Sequence, residues 1–411
     1  MSVDYCLTRW KNPGSVRSRE REWSDVSASD PLLTQDQLAL VEGLDALCSR
    51  HIDDKLLFDL DQQARYPFDV MQALSDGGWA SMAVPESHGG AGASARDMAV
   101  VLEELSRHSL VVGQAYFSMW ILGAEAVIRL GTNSQANEWL PRIATEGARV
   151  AFALTEPGSG SDAAALTTRA EKRGSDYVVT GQKVFTTGAA VADVIITAVR
   201  TSRGGTKHAG ISTLMIDPQL QGVDIRKIPK MGLKGIDLCE VFFDDVVVPE
   251  TCLLGELDAG WAGVLPGLAI ERLYLAAISV GAMRDVLDLC LEHASTRETF
   301  GKALGSHQMI AEKLVEMRVA IETSRALVKQ AAEMVDRGDG EAVNLASIAK
   351  LHATRSYVSA TREAVQIFGG YGFTDEYPVS RHYRDCKYLE IGGGASEIQK
   401  IVIARSMGLR P

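Results

Sequence analysis

Residues 150–162, with the sequence VAFALTEPGSGSD, mark the point at which the patterning of the chain changes. Before them, apolar residues recur at helical spacing, beginning with a Thr-x-x-Gln capping box at Thr34 and Gln37. The helix that follows has apolar residues at intervals of three: Leu38, Val41, Leu44 and Leu47. Further amphipathic segments are predicted at 66–74, 95–105 and 136–143. Glycine-rich turns such as 89–92 separate them, so residues 33–148 are predicted to form an N-terminal α-helical domain.

Residues 149–256 show the patterning of strands. β-branched and alternating residues predict strands at 150–155, 177–180, 194–197, 211–216 and 241–243. Turn-forming residues at 173–176 and 203–205 lie between them, and no long helical period intervenes. We therefore predict a small middle domain built on an antiparallel sheet.

After Gly260 the helical period returns and holds to the end of the chain. The predicted helical blocks lie near 261–295, 306–337, 341–367 and 396–407. Helices of this length that pack side by side form a bundle, so residues 257–411 are predicted to be a C-terminal four-helix bundle. The predicted fold class is thus α+β multidomain: α-helical domain, antiparallel β domain and four-helix bundle.

Residues 1–32 are predicted to form a flexible N-terminal arm. Its arginines among Ser, Pro and Gly are also typical of a transit peptide, but Asp4, Glu20 and Glu22 interrupt that pattern.

Composition excludes several functional classes. The chain has 411 residues, of which 46% are hydrophobic, and carries 42 Lys+Arg against 53 Asp+Glu, for a net charge of −11. A net negative charge disfavours binding to a phosphate backbone, so no nucleic-acid partner is expected. The six cysteines form no Cys-x-x-Cys pair, and the eight histidines show no His-x-x-His or His-x-x-x-His spacing, so neither a disulfide scaffold nor a metal site is predicted.

We also expect no membrane insertion. We take 273–283 as the longest uncharged apolar stretch, which is shorter than the roughly 20 residues that a membrane-spanning helix needs, and we identify no apolar signal segment at the start of the sequence. A cytoplasmic location is therefore expected.

An acidic residue lies on the apolar face of the helix predicted after Gly260. The neighbours of Glu271 at helical spacing are all apolar: Val264, Leu268, Leu275 and Ile278. One interpretation is a buried ion pair or an interface carboxylate, for example with Arg272. The other is a general base, because burial without a full partner raises the pKa of a carboxyl group, as proton abstraction from carbon requires. The pattern alone leaves both interpretations open.

Three short stretches are rich in Gly, Ser and Thr: 153–162, 186–187 and 369–372. They fit ordinary tight turns, or a backbone that approaches a cofactor closely and offers N–H and hydroxyl donors. The Gly-Lys-Ser/Thr spacing of a phosphate loop is absent from the sequence, which disfavours a nucleotide triphosphatase.

Taken together, these stretches resemble the signatures of the acyl-CoA dehydrogenase family, and the resemblance covers about residues 33–408. One signature is ALTEPGSGSDAAA at 153–165, and the other is QIFGGYGF at 366–373, followed by Glu376, Arg381 and Asp385. Between them, RETFGK at 297–302 with His307 and Gln308 is similar to the segment that family members present to the flavin of a neighbouring subunit.

The resemblance implies the acyl-CoA dehydrogenase fold and an FAD enzyme that desaturates an acyl thioester between its α and β carbons. It further implies a role in fatty acid or amino acid catabolism, an electron-transferring flavoprotein as electron acceptor, and a homo-oligomer that is usually a tetramer built from dimers. In the family, the thioester carbonyl is polarised by a flavin ribityl hydroxyl and by the backbone N–H at the position of the catalytic Glu.

The position of the base departs from the commonest family pattern. Most members carry the catalytic Glu in a Tyr-Glu-Gly-Thr segment, but the matching stretch here is IGGGASEI at 391–398, with Gly393 in place of that Glu. A minority, including isovaleryl-CoA dehydrogenase, carry it in a Glu-Arg-Leu context on the helix that opens the C-terminal domain. This chain has Glu271, Arg272 and Leu273 there, so the resemblance implies that Glu271 is the catalytic base. Glu390 is the competing carboxylate, and we expect its side chain to point elsewhere because a strand or loop is predicted there.

The resemblance also implies the remaining site residues. The flavin ring is expected to meet residues of the middle domain: Leu154, Thr155, Ser161, Phe185 and Thr187. Phe185 stands where many members have a Trp, and it keeps the stacking but not the indole donor. The adenosine and pyrophosphate are expected to meet residues of the second subunit: Arg297, Phe300, Gln308, Gln366 and Gly370. Glu397 is expected to contact the FAD or to hold the terminal helix. Substrate contacts are expected from Ser161, Arg272 and Gly393.

The substrate itself is less closely defined. Glycines at 392–394 remove bulk beside the thioester, which favours a short or branched acyl chain. Tyr116, Phe117 and Trp120 either narrow the far end of the pocket or belong to the core. Lys234 and its neighbours depart from the family pattern, so both an acyl-CoA and an acyl group on a carrier protein remain open as substrates.

Two other functions are compatible with the same scaffold. One is a flavin-dependent oxidase or monooxygenase, and the other is a binding protein without enzymatic activity.

Overall fold

The computed structural model describes residues 33–410, apart from the side chains of residues 264–266, 268 and 269. The predicted N-terminal arm, residues 1–32, lies outside the described residues. The first unit contains seven α-helices: α1 (Gln35–His51), α2 (Asp54–Gln63), α3 (Phe68–Asp76), α4 (Ala95–His108), α5 (Leu110–Tyr116), α6 (Leu122–Leu130) and α7 (Asn133–Glu146). The predicted capping box is present, because the backbone N–H of Gln37 donates to Thr34 Oγ1 and that of Thr34 to Gln37 Oε1, each at 3.2 Å.

A π-helical turn at Phe117–Ile121 joins α5 and α6 into one stretch, Leu110–Leu130. By length and composition this stretch resembles a membrane span, but 78% of its most apolar window is buried inside the protein. The sequence analysis did not identify it. Two of its aromatic side chains are anchored in the first unit, since the Tyr116 hydroxyl donates to the Trp79 carbonyl (2.7 Å) and the Trp120 indole N–H to the Gly147 carbonyl (3.1 Å). With Phe117 also buried, these aromatics belong to the core.

The middle unit is a sheet of eight strands: β1 (Val150–Ala153), β2 (Arg169–Arg173), β3 (Asp176–Thr187), β4 (Val194–Arg200), β5 (Ile211–Ile216), β6 (Val223–Lys227), β7 (Leu238–Pro249) and β8 (Leu253–Leu254). Their order is β6-β7-β3-β2-β4-β5-β8, with β1 beside β4. Most pairs are antiparallel as predicted, but β1 and β2 each pair with β4 in parallel, so the sheet is mixed. β2 and β6 were not predicted because they are mostly solvent-exposed and carry few apolar residues.

The last unit contains five helices: α8 (Gly260–Thr296), α9 (Gln308–Asp336), α10 (Ala342–Phe368), α11 (Pro378–Ile391) and α12 (Ser396–Ser406). A two-stranded ribbon, β9 (Glu298–Thr299) and β10 (Lys302–Ala303), joins α8 to α9. The predicted bundle and fold class are confirmed. The strand or loop expected at Glu390 is wrong, because the residue lies in the last turn of α11. The sequence analysis missed α11 because three of its five buried positions carry His, Asp and Cys.

The three units share one hydrophobic core. Close packing between the first unit and the bundle is visible at Gly281 on α8, where an added Cβ would lie 2.0 Å from the Glu103 carbonyl oxygen of α4. This contact fixes α8 against the N-terminal helices. Glu271 lies in the first half of α8, near Tyr388 of α11, whose hydroxyl group is hydrogen-bonded by Thr187 at the end of β3.

Candidate active site

Glu271 lies on α8 in surroundings that disfavour its charge. Leu275 and Ile278, its described neighbours one and two turns onward, are buried, while the side chains of Val264 and Leu268 lie outside the described residues. Glu271 as a whole is half-buried. Burial raises the pKa of Glu271 to about 6, against the opposing positive charges of Arg272 and Lys350. Such a carboxylate is ionised at neutral pH and is a stronger base than an exposed one.

Gly393 lies directly against Glu271. A Cβ at this position would lie 3.4 Å from the carboxyl carbon of Glu271 and only 2.3 Å from a methyl carbon of Leu275. The backbone of Gly393 also has a φ of +61°, which side-chain-bearing residues rarely adopt. The predicted base and the glycine that replaces the family's usual base therefore occupy the same place.

Each glycine of the 392–394 turn makes room for another side chain. A Cβ at Gly392 would lie 3.4 Å from the Tyr388 ring, and one at Gly394 would lie 2.8 Å from Gln399 Nε2. The expected free space for a branched acyl chain is therefore taken up, at these positions, by Glu271, Leu275, Tyr388 and Gln399. The backbone N–H of Gly393 has no acceptor among the described residues, so it remains available to a ligand.

The strand-and-turn segment 154–162 is fixed by a buried ion pair. Lys183 on β3 is fully buried, and its ammonium group donates to Glu156 Oε1 at 2.8 Å and to the Leu154 carbonyl at 3.0 Å. Burial alone would raise the pKa of Glu156, but Lys183, with hydrogen bonds from Thr167 and Thr168, lowers it to about 2. The backbone N–H of Val184 donates to the Thr155 carbonyl at 2.9 Å. The predicted flavin residues Leu154 and Thr155 are thus held beside the end of β3.

Phe185 projects from the sheet in a strained backbone conformation. Its φ is +58°, it lies where the pairing of β3 with β7 shifts register, and its side chain is 58% exposed. A non-glycine residue in this conformation costs about 1–2 kcal/mol, and such strain is concentrated at functional sites. An exposed aromatic ring beside hydrogen-bonding backbone and hydroxyl groups fits a flat ring system with polar edges, such as that of a flavin.

Tyr388 connects the residues predicted to meet the flavin to the predicted base, Glu271. The Thr187 side chain hydrogen-bonds the Tyr388 hydroxyl, which also accepts from Gln114 Nε2 at 3.3 Å. Burial raises the pKa of Tyr388 to about 12, and the Glu271 carboxylate contributes in the same direction. Thr187, Tyr388, Gly393 and Glu271 therefore form one continuous site, contributed by β3, α11, the glycine turn and α8.

Two other predicted substrate residues are in different surroundings. Arg272 Nη1 donates to Ser347 Oγ on α10 at 3.3 Å, while its Nε has no partner among the described residues. Ser161 is exposed in the turn that follows Glu156. The competing carboxylate, Glu390, is engaged by Lys387. Glu397 is exposed in the first turn of α12, 3.8 Å from Lys400.

The residues expected to serve a neighbouring subunit lie far from this site. All of them are exposed at one end of the bundle: Arg297, Phe300, Gln308, Gln366 and Gly370. Arg297 follows directly on α8 and is about 39 Å from Glu271 at 1.5 Å per helical residue. The structure therefore does not bring these residues together with Glu271 within one chain.

Four residues of this site were not predicted from the sequence: Lys183, Lys350, Tyr388 and Gln399. Lys350 had only a weak signal, because Ala346, Ala353 and Tyr357 are apolar neighbours at helical spacing but Ser347 and Thr354 are polar ones. Gln399 had none, since a single amide on a short terminal helix forms no pattern.

Comparison with known proteins defines the class to which this fold and site belong. Models of the N-terminal, middle and C-terminal domains of acyl-CoA dehydrogenases match residues 34–147, 151–246 and 258–408. The chain therefore belongs to the acyl-CoA dehydrogenase family. It is accordingly an FAD-dependent oxidoreductase that acts on CH–CH groups, as the sequence analysis predicted.

Relatives with several activities are similar over most of the chain. The acyl-CoA dehydrogenase of Bacillus subtilis strain 168 is 34% identical over 84% of this chain and 91% of its own length. The caffeyl-CoA reductase-Etf complex subunit CarC of Acetobacterium woodii is 33% identical over 86% of this chain and 93% of its own length. The mitochondrial isovaleryl-CoA dehydrogenase of Oryza sativa subsp. japonica is 32% identical, covering 85% of each chain.

Solved structures of the same fold show comparable similarity, each covering 92% of this chain. Butyryl-CoA dehydrogenase from Megasphaera elsdenii superposes with a TM-score of 0.87 at 29% identity over 99% of its length. The prolyl acyl carrier protein oxidase AnaB gives 0.86 at 28% identity over 100% of its length. The FAD complex of PigA gives 0.86 at 26% identity over 99% of its length.

Proposed function

We propose that this protein removes two hydrogens from the α and β carbons of a short or branched acyl thioester, with Glu271 as the base. The α proton passes to the Glu271 carboxylate, the β hydrogen leaves as hydride, and a carbon–carbon double bond forms. FAD, when bound, supplies the hydride acceptor. The single observation that carries this proposal is the position of Glu271, a carboxylate with a raised pKa in contact with Gly393.

The site supports proton abstraction in two further ways. The unpartnered N–H of Gly393 is a donor for the thioester carbonyl, where negative charge develops as the α proton leaves. The buried apolar neighbours Leu275 and Ile278 lower the local dielectric constant, which strengthens this interaction. We propose that the ring system of FAD is held by Leu154, Thr155, Ser161, Phe185 and Thr187.

The choice of a short or branched substrate rests on two observations. Glu271 occupies the place implied by the isovaleryl-CoA dehydrogenase type, and a relative of that name is similar over 85% of the chain. The fold is also that of a butyryl-CoA dehydrogenase. A carrier-bound acyl group is the second candidate, and the similarity to the prolyl acyl carrier protein oxidase favours it.

Reduction of the flavin by thioesters under anaerobic conditions tests this function. The purified protein is expected to be yellow and to bleach with at least one thioester from a panel of straight, branched and aromatic acyl groups, each on CoA and on a carrier protein. Glu271→Gln is expected to keep the flavin and lose the bleaching. Glu390→Gln is the matched control, because it removes a nearby carboxylate that Lys387 engages, and it is expected to bleach normally. Bleaching by Glu271→Gln would remove this residue from the role of base.

We also propose that the physiological electron acceptor is an electron-transferring flavoprotein. The similarity to the CarC subunit of a caffeyl-CoA reductase-Etf complex supports this choice. Rapid reoxidation of the reduced enzyme by oxygen rather than by such a flavoprotein would favour an oxidase instead.

We further propose a homo-oligomer, with a tetramer as the expected state, in which one chain completes the FAD site of another. The support is that the five predicted adenosine and pyrophosphate contacts are exposed and distant from Glu271. The Arg297→Ala and Glu271→Gln variants should each be inactive when expressed alone. Activity should appear when the two are co-expressed, because an Arg297→Ala chain retains Glu271 and receives Arg297 from a neighbouring Glu271→Gln chain. Inactive mixed oligomers would contradict the shared site. The cytoplasmic location stays a prediction.

A further inference from the structure

Lys350 is a fully buried lysine that faces the active site from α10. Its ammonium group donates to the Glu390 carbonyl at 3.1 Å and to the Gly394 carbonyl at 2.9 Å. The Glu390 carbonyl precedes the 392–394 turn and the Gly394 carbonyl ends it, so a single side chain bridges the turn. Burying an ammonium group is costly, and burial lowers the pKa of Lys350 to about 8 even though Glu271 and Glu390 favour its charge.

Gln399 holds the same turn from a different helix, α12. Its side chain on α12 is fully buried, and Nε2 donates to the Gly393 carbonyl at 3.1 Å and to the Gly394 carbonyl at 2.7 Å. The amide cannot be reversed, because its oxygen would then face two carbonyl oxygens. The Gly394 carbonyl therefore receives donors from both Lys350 and Gln399.

These four hydrogen bonds restrain a segment that has little rigidity of its own. Three consecutive glycines are conformationally free in the unfolded chain, and they carry no side chains that pack. In the folded protein, the carbonyls of Glu390, Gly393 and Gly394 are all directed toward Lys350 and Gln399. The N–H of Gly393 is left without an acceptor among the described residues, beside the Glu271 carboxyl group.

We infer that Lys350 and Gln399 are positioning residues for α-proton abstraction: they hold the glycine turn so that the Gly393 N–H and the Glu271 carboxylate address the same thioester. This inference rests on the proposed function. Lys350 has a second effect that Gln399 lacks, because its positive charge lies near the base. The charged groups that face Lys350 are Glu271 and Arg272 on α8, Glu390 on α11 and Glu397 on α12.

The contributions of Lys350 and Gln399 can be distinguished by substitutions that remove different properties of each side chain. Lys350→Met removes the charge and two hydrogen bonds, whereas Gln399→Leu removes two hydrogen bonds at no change in charge. Lys387→Met is the matched control, because Lys387 engages the Glu390 side chain from an exposed position. Flavin content and thermal unfolding establish that each variant is folded.

Exchange of the substrate's α proton with deuterated water, followed by NMR, measures proton abstraction apart from hydride transfer. We expect both variants to exchange at least about tenfold more slowly than wild type, because a misplaced donor weakens carbonyl polarisation. Lys387→Met should exchange like wild type. Only Lys350→Met should move the pH midpoint of the reaction upward, since it removes a charge that lowers the pKa of Glu271. Lys350→Arg should restore the midpoint without restoring the full rate.

Normal exchange in both folded variants would overturn the inference. If Lys350→Met does not fold, Gln399→Leu alone decides the positioning role by the same measurement. Failure of the proposed function gives a different result, namely no exchange and no flavin bleaching in the wild-type protein with any thioester.

Discussion

The carboxyl carbon of Glu271 lies 3.4 Å from the point that a Cβ at Gly393 would occupy. One residue is on α8 and the other follows α11, so a base can reach this point from either segment. Only one side chain fits, because a Cβ at Gly393 would also lie 2.3 Å from Leu275. The glycine and the relocated carboxylate are therefore two parts of one arrangement.

Gly393→Ala tests this mutual exclusion. The added methyl group would displace Leu275 and crowd the carboxylate, and a φ of +61° costs an alanine about 1–2 kcal/mol. We expect a large loss of flavin reduction by thioesters with flavin still bound. Gly340→Ala is the control, because a Cβ there meets no atom within 4 Å, and it should behave as wild type. Normal turnover by Gly393→Ala would show that this position tolerates a side chain beside the base.

The pH dependence of flavin reduction should report the ionisation of Glu271. Burial raises the pKa of this carboxyl group to about 6, so it is protonated, and unable to accept the α proton, below that pH. The rate of anaerobic flavin reduction is therefore expected to rise as pH increases through about 6. Glu390→Gln should leave the profile unchanged. A midpoint near that of an exposed carboxyl group would contradict a buried base.

Much of the fold was predictable because the helical and strand segments with apolar faces show clear periodicity. The change from period 3.6 to period 2 near residue 150, and back after residue 260, separates the three units. Helix α11 was not predictable in this way, because His382, Asp385 and Cys386 occupy its buried face. The parallel pairing of β1 with β4 was also missed, since strand order depends on tertiary contacts that no local pattern encodes.

The same holds for the candidate site: residues that belong to a local sequence pattern were predictable, and residues placed there by tertiary contacts were not. Glu271 was identifiable as an acid among apolar residues, and the family resemblance supplied its proposed role. The contact between Thr187 and Tyr388 was not predictable, because it joins β3 to a helix that the pattern did not reveal. Lys183 was missed because strand alternation does not distinguish a buried lysine with a carboxylate partner from an exposed one.

The buried Lys183–Glu156 pair is expected to be necessary for the flavin site. Lys183→Met leaves the Glu156 carboxylate buried without its ammonium partner, which costs about 3–5 kcal/mol of stability. The Leu154 carbonyl also loses its donor, so flavin affinity should fall together with the temperature of thermal unfolding. Lys207→Met breaks an exposed pair with Asp162 and should change neither. Equal flavin content and stability in Lys183→Met and wild type would exclude this role.

Phe185 offers a test in which stability and cofactor binding move in opposite directions. Its ring is 58% exposed and its φ is +58°, so the backbone of this residue is strained. A residue with a side chain costs about 1–2 kcal/mol in the left-handed conformation, and Phe185→Gly removes this cost. The greater conformational freedom of glycine in the unfolded chain offsets part of the gain. The flavin-free protein should therefore be as stable as wild type or more stable.

Flavin affinity should fall in the same variant, by about tenfold, because the aromatic contact is lost. Phe185→Trp restores an aromatic ring and should bind flavin at least as tightly as wild type. The two measurements are thermal unfolding of the flavin-free protein and titration of that protein with FAD. A purely structural role for Phe185 predicts the reverse pattern, in which Phe185→Gly destabilises the flavin-free protein and binds FAD with unchanged affinity. Because each role predicts a change in a different quantity, one pair of measurements decides between them.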